Sequence, residues 1–181
     1  MPANPLHFST IAPLHFFRPE TFDITALLWS STLVDLELLY RLLIGEPMRH
    51  GLWHSYFFVL TIYPIILSLV LYIMETQFEK TILGVYRAFR FFPDKVRYSL
   101  RTIYLSSLVG GVSHIFLDMW VHENSAYVLF PFYEGNPFWI GEWGIIIYGL
   151  VILLSILTVF LWIKRARTWK SSGRQPAPPL S

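Results

Sequence analysis

Residues 102–121 read TIYLSSLVGGVSHIFLDMWV, and this stretch decides the fold class and points to the chemistry. Its length is that of one helical crossing of a hydrocarbon core, roughly 20 residues. It is apolar or small throughout except for His114 and Asp118. Runs 56–74 and 143–163 carry no charge at all, and run 24–44 is apolar at both ends but holds Asp35, Glu37 and Arg41. The segment 5–17 is apolar but short for a crossing, and Pro13 inside it predicts a break or kink. The expectation is an all-α fold: a polytopic integral membrane helical bundle with four full spans and a short N-terminal helix.

Composition supports that class. Of 181 residues 54% are hydrophobic, 18% aromatic and 14% charged, with a mean hydropathy of +0.48. Soluble domains carry about 25% charged residues, so this chain has too little charge to cover a water-facing surface. Disorder, a basic nucleic-acid-binding domain and an ordinary cytosolic enzyme are excluded on that ground, and no nucleic-acid partner is expected. The absence of cysteine excludes a disulfide scaffold, a thiolate zinc site and a cysteine nucleophile.

Orientation follows from lysine and arginine. Lys80, Arg87, Arg90, Lys95, Arg97 and Arg101 lie in the loop 77–101, and Lys164, Arg165, Arg167, Lys170 and Arg174 lie in the tail 164–181. The loop 122–142 has neither residue type and holds Glu123, Glu134 and Glu142. The basic loop and the C-terminus are therefore expected in the cytoplasm, in a multi-pass protein of the cell's inner, cytoplasmic membrane, with 122–142 outward. Residues 1–163 form one embedded domain, and the tail reads as disordered from its Ser, Gly and Pro content. Within 87–101, Phe89, Phe91, Phe92 and Tyr98 suggest an amphipathic helix lying against lipid.

Charges inside spans are costly and mark function. Asp35 and Glu37 fall in the first long run, and His50 and His54 stand four apart just after Pro47. His114 and Asp118 stand four apart in the third run. A spacing of four puts two side chains on one helical face. Counted from the outward helix ends, Asp35, His54 and His114 all lie roughly 10 to 14 Å deep. Imidazole with carboxylate suits zinc, or manganese or iron with more oxygen ligands. One or two divalent ions are expected. His15 reads as interfacial, and His122 as a helix cap.

Several motifs occur in an order that resembles a known family. They are Pro5-Leu6-His7-Phe8, Ser31 with Val34-Asp35-Leu36-Glu37, His50-Gly51-Leu52-Trp53-His54-Ser55, Ser113-His114-Ile115-Phe116-Leu117-Asp118, and Gly135-Asn136-Pro137-Phe138. Together they resemble the membrane-bound metal-dependent hydrolases known as LexA-binding inner-membrane hydrolases, in their archaeal-like branch. A more distant likeness is to zinc-dependent phospholipase C and the P1-type nucleases. That likeness implies an N-terminal histidine ligand, His7, then Asp35, His50 or His54, and His114 with Asp118. The resemblance also implies substrate contacts at Ser31, Arg49 and Asn136. It departs from the family at Val34, where proline is common, and at Arg49-His50-Gly51, where the family has His-Arg-Gly.

The function so implied is hydrolysis of a phosphoester, of a lipid or a small molecule, by a metal-activated water near the outward face. Asp35 would bridge metals or act as general base, and Glu37 would orient a histidine or add a carboxylate ligand. The competing expectation is a metal-binding or scaffold membrane protein without turnover.

Overall fold

The computed structural model describes residues 6–47, 50–91, 97–123, 125 and 127–171. Among them there is no strand. Eight α-helices follow in order: α1 Leu6–Phe17, α2 Ile24–Thr32, α3 Leu36–Leu43, α4 Tyr56–Leu60, α5 Ile62–Gln77, α6 Glu79–Ala88, α7 Leu100–Val121 and α8 Gly144–Ser171. Short 3-10 turns at Leu33–Asp35, Leu52–His54 and Gly141–Trp143 complete the chain of elements.

α7 is the axis of the bundle. It packs against α2, α5 and α4, while α1 sits between α2 and α8. Ser99 starts α7 by accepting the Thr102 N–H, and Asp23 starts α2 by accepting from Thr25 and Ala26. These caps satisfy amides that a helix start leaves without intrahelical partners. Small residues then let the helices close. A Cβ on Gly110 would collide with Ser30 Oγ of α2. Buried Ser30, Ser31, Ser106 and Ser107 belong to the same small-residue seam, the usual way membrane helices approach.

Among the described residues two helices are long and apolar enough to cross a membrane: α7, and the stretch Gly141–Thr168 that contains most of α8. A third crossing exists only if α5 and α6, bent by 92° against each other, count as one span. The four uninterrupted spans expected from the sequence are thus corrected to two or three. The reasons are local. In 24–44 the hydroxyls of Ser30, Ser31 and Thr32 all bond back to carbonyls of their own helix. Such bonds offer the backbone an alternative to the helical ladder, and the helix gives way to a 3-10 turn carrying Asp35. In 56–74 the helix breaks at Thr61, three residues before Pro64. A proline removes its own N–H and crowds the carbonyl four residues back, here that of Leu60.

Other boundaries also move. α1 runs uninterrupted through Pro13. The amphipathic helix expected within 87–101 is not found among the described residues, where 89–91 and 97–99 are non-helical between the end of α6 and the start of α7; residues 92–96 lie outside the described residues. Tyr98 does not face lipid, because it is buried and its hydroxyl donates to the Pro19 carbonyl. α8 continues past residue 163 to Ser171, and 172–181 lie outside the described residues.

Candidate metal centre

The last two turns of α7 project His114 and Asp118 to the same side, and His122 follows one turn on. His114 is fully buried, and its Nδ1 donates to the Ser31 carbonyl of α2 at 2.8 Å. That bond fixes the tautomer, so Nε2 of the neutral ring carries a lone pair. Nε2 lies 3.2 Å from Asp118 Oδ2 and 3.5 Å from Asp35 Oδ1.

The second histidine arrives from the opposite wall. His54 closes the Leu52–His54 turn, and Ser55 starts α4 directly after it by accepting the Phe58 N–H. His50 and His54 therefore do not share a helical face, as their spacing suggested, because His50 lies outside any helix. The two rings still sit 4.0 Å apart. His54 Nδ1 donates to Glu37 Oε2 at 2.9 Å, and Glu37 is held by the Gly51 N–H at 3.0 Å and by Arg41 at 3.4 Å. A Cβ at 51 would meet the Glu37 carboxylate and the Arg41 guanidinium, so glycine there lets both stay in place. With Nδ1 spent, the lone pair of Nε2 faces Asp35 Oδ1 at 3.2 Å.

With both rings neutral, the form that binds metal, the polar atoms in the middle of this arrangement are lone pairs facing lone pairs. His114 Nε2 is buried without a hydrogen-bond partner although two carboxylate oxygens flank it. Unpaired acceptors buried together are costly, and a cation between them removes the cost. Asp35, His54, His114 and Asp118 each offer one ligand atom, all within 4.8 Å of one another, and all four residues are buried. A second group, His50, Asp118 and His122, meets the same limit and shares Asp118. The donor set, two imidazoles with two carboxylates and then two imidazoles with one, fits a divalent metal ion.

Around this core His7 reaches from α1, with Nε2 3.2 Å from Asp118 Oδ1. The His7 and His114 ring centres are 4.2 Å apart. Nδ1 of His7 and Nδ1 of His50 are buried and without hydrogen-bond partners. Burial, and then the neighbouring His54, hold His50 far below the usual imidazole range, at about 3. Burial also lowers His122. Both rings are therefore neutral near pH 7, the form in which imidazole binds metal. A cavity of about 30 Å³ opens over the group. It is lined by His7, Asp35, His50, Asp118 and His122 on one side and by Leu117, Val121, Ile147, Tyr148 and Val151 on the other. One water takes roughly 10–15 Å³ by the same measure.

The structure brings together His7, Asp35, Glu37, His50, His54, His114 and Asp118 as the sequence suggested. Two residues read as substrate contacts are engaged elsewhere. The Ser31 hydroxyl bonds to Leu28 O inside α2, and it is the Ser31 carbonyl that serves the centre, through His114. Asn136 Nδ2 donates to Met119 O and His122 O, and its Oδ1 accepts from Phe138 N, tying the 122–142 loop to the end of α7. Arg49 lies outside the described residues. His15 is buried away from the centre on the Phe22 carbonyl. His122 is the residue sequence reasoning missed. It is the cap the sequence suggests, its N–H on the Asp118 carbonyl, but it also repeats the spacing of four from Asp118 that singles out His114. Searches against family models, curated proteins and solved structures found no match for this chain.

Proposed function

We propose that this protein is a membrane-embedded, metal-dependent hydrolase of phosphoesters. The observation that carries the reading is the pair of His/Asp groups joined through Asp118 beneath a water-sized cavity. A catalytic metal site keeps a position open for water, whereas a structural one is closed by four protein ligands. The outer group, His50, Asp118 and His122, offers three ligands and lines the cavity. A divalent cation there, zinc by the donor set with manganese or iron as alternatives, supplies the Lewis acidity that brings a water's pKa from about 15.7 toward 7.

The chain's own residues do the rest. Asp35 faces the cavity and takes the proton the water gives up, while Glu37 keeps His54 in its Nδ1–H tautomer. Leu117, Val121, Ile147 and Val151 form an apolar wall that suits the hydrocarbon part of a lipid phosphoester. The motif order shared with the LexA-binding inner-membrane hydrolases supports the same reaction class. The placement in the inner membrane, with the C-terminus cytoplasmic and the centre toward the outer face, rests on the lysine and arginine distribution. Trp162 Nε1 of α8 donates to Phe89 O beyond α6, which gathers the basic segments at the end away from the centre.

One observation favours a second reading. The inner group, Asp35, His54, His114 and Asp118, has four buried protein ligands and would close around a metal without turnover. Elemental analysis of detergent-purified protein beside Asp118→Ala, which removes the ligand common to both groups, followed by a panel of phosphomonoesters, diesters and phospholipids, separates the two. Stoichiometric metal with turnover, both lost in the variant, is the expected result. Metal without turnover on any class favours the closed site, and wild-type protein purified without metal overturns both.

A further inference from the structure

Away from the candidate centre, at the N-terminal end of α2, two acids are buried with no ion pair to a described cation. Asp23 is completely buried, and Glu75 of α5 is 3% exposed. Among the described residues no lysine, arginine or histidine forms an ion pair with either. The Asp23 oxygens accept the N–H groups of Thr25 at 3.0 Å and Ala26 at 3.1 Å, and the Asp23 amide donates to Ser106 Oγ of α7. Both oxygens of Glu75 are buried, and no donor meets either with hydrogen-bond geometry. The groups facing Glu75 are the Asp23 carboxyl and the Tyr98 backbone amide.

Of the hydroxyls near the pair, Thr25 reaches the Asp23 carboxyl, and among the described residues none reaches Glu75. Tyr86 of α6 and Thr25 share a hydrogen bond, and Tyr98 gives its proton to Pro19 O at 2.7 Å. His15 of α1 is the nearby imidazole, and its Nδ1 donates to Phe22 O at 2.7 Å, one residue before Asp23. Two carboxylates that face each other are both acceptors, and burial opposes charge on each. A metal ion is a poor solution, because hard cations take about six or more oxygens and the pair offers two carboxyl groups. One proton between them is sufficient, as in other paired carboxyls that cannot both ionise.

We infer that Asp23 and Glu75 form a proton-binding site in which the two carboxyl groups share one proton and clasp the start of α2 to the last turn of α5. Glu75 lies three residues before Phe78, where α5 turns by 92° into α6. Loss of the proton to water leaves two buried negative charges pushing these elements apart at the bend. The site is independent of the metal centre, since Asp23 lies roughly 18 Å from Asp35 at helical rise along α2 and its following turn.

The test is an infrared pH titration of the carboxyl stretch, with thermal melting against pH, on full-length protein in detergent. Wild type should keep a protonated-carboxyl band well above the usual Glu value of about 4.3. The folded state then holds a proton that the unfolded chain releases, so the melting temperature falls as pH rises from about 4.3 through the titration of the band. Glu75→Gln, which imitates the neutral acid, should lose that band and flatten that fall. Asp23→Asn should also abolish the shared proton, and it serves if the glutamine variant does not fold. A wild-type spectrum with no protonated carboxyl at neutral pH overturns the proposal, as does an unchanged band or slope in the folded variants. A sodium or calcium titration at fixed pH that raises the melting temperature of wild type but not of Glu75→Gln would assign the pair to a metal cation instead.

Discussion

α7 and α8 each pass as a membrane crossing by length and hydropathy, yet they are opposite kinds of helix. The best window of α7 has a mean hydropathy of 1.2 and is 44% buried, and that of α8 reaches 2.7 and is 17% buried. α7 carries Ser106, Ser107, Gly110, Gly111, His114 and Asp118, all buried, because α2, α4, α5 and α1 surround it. α8 touches protein along one stripe, where Ser155 meets Ser9 and Thr158 bonds to the Ser9 carbonyl. The rest of α8, including Ile145, Ile146, Ile152, Leu153, Ile156 and Phe160, is exposed. Protein neighbours are what permit polar chemistry inside an apolar helix, since every polar group needs a partner where water is absent. A helix facing lipid has to remain hydrocarbon.

The largest effect expected is at Asp118, the one ligand common to both groups on α7. Asp118→Ala should bring metal content to background and abolish turnover, measured by elemental analysis and the phosphoester panel. His122→Ala should remove only the outer group and leave metal at His54, His114 and Asp35. If Asp118→Ala keeps the metal of wild type, the shared-ligand arrangement is wrong. Equal metal loss in the two variants would mean that the groups are one site.

Gly110→Ala is the next test, because it attacks the packing that makes α7 a protected helix. The new methyl would meet Ser30 of α2, the helix whose Ser31 carbonyl holds His114. Overpacking of this sort costs about 1–3 kcal/mol, to be read as a lower melting temperature in detergent. An unchanged melting temperature would show that α2 and α7 are not closely packed there.

How much of this was legible beforehand differs between the same two helices. The continuity of α7 and α8 could be read because 102–121 and 143–163 hold no proline, and their hydroxyls that bond back, Ser113 and Ser155, stand singly. The runs 24–44 and 56–74 were just as apolar, but their continuity depended on three successive hydroxyls and on Pro64. Hydropathy counting weighs neither. The candidate ligands His114, Asp118, Asp35 and His54 were legible as charge and imidazole where neither belongs. His122 was not, because it sits at a helix end where a polar residue is ordinary. Ser31 contributes through its carbonyl, an atom every residue has, so its type alone could not announce its role. Asp23 and Glu75 were hidden for the same reason as His122: each stands near a helix end, and only folding sets them face to face.

A weaker test concerns partners that α7 borrows from outside itself. Glu37 touches no site atom directly but orients His54, so Glu37→Gln should lower metal affinity by about 10–100-fold, as replacing outer-shell carboxylates does. Competition with a chelator would read this, with folding unchanged by melting temperature. Affinity equal to wild type would show that His54 does not need its carboxylate.

The smallest effect sharpens the comparison most, because it repeats one substitution on the other helix. Gly149 of α8 has no atom within 4 Å of where a Cβ would go. Gly149→Ala should therefore meet no clash, and it removes the conformational entropy that glycine loses in a helix interior, about 0.5–1 kcal/mol relative to alanine. The expected outcome is a small rise in melting temperature, opposite in sign to Gly110→Ala, with metal content and turnover unchanged. A fall in both variants would mean that another chain packs against the Gly149 face. α8 would then be a second protected helix, and the contrast with α7 would belong to the single chain but not to the assembled protein.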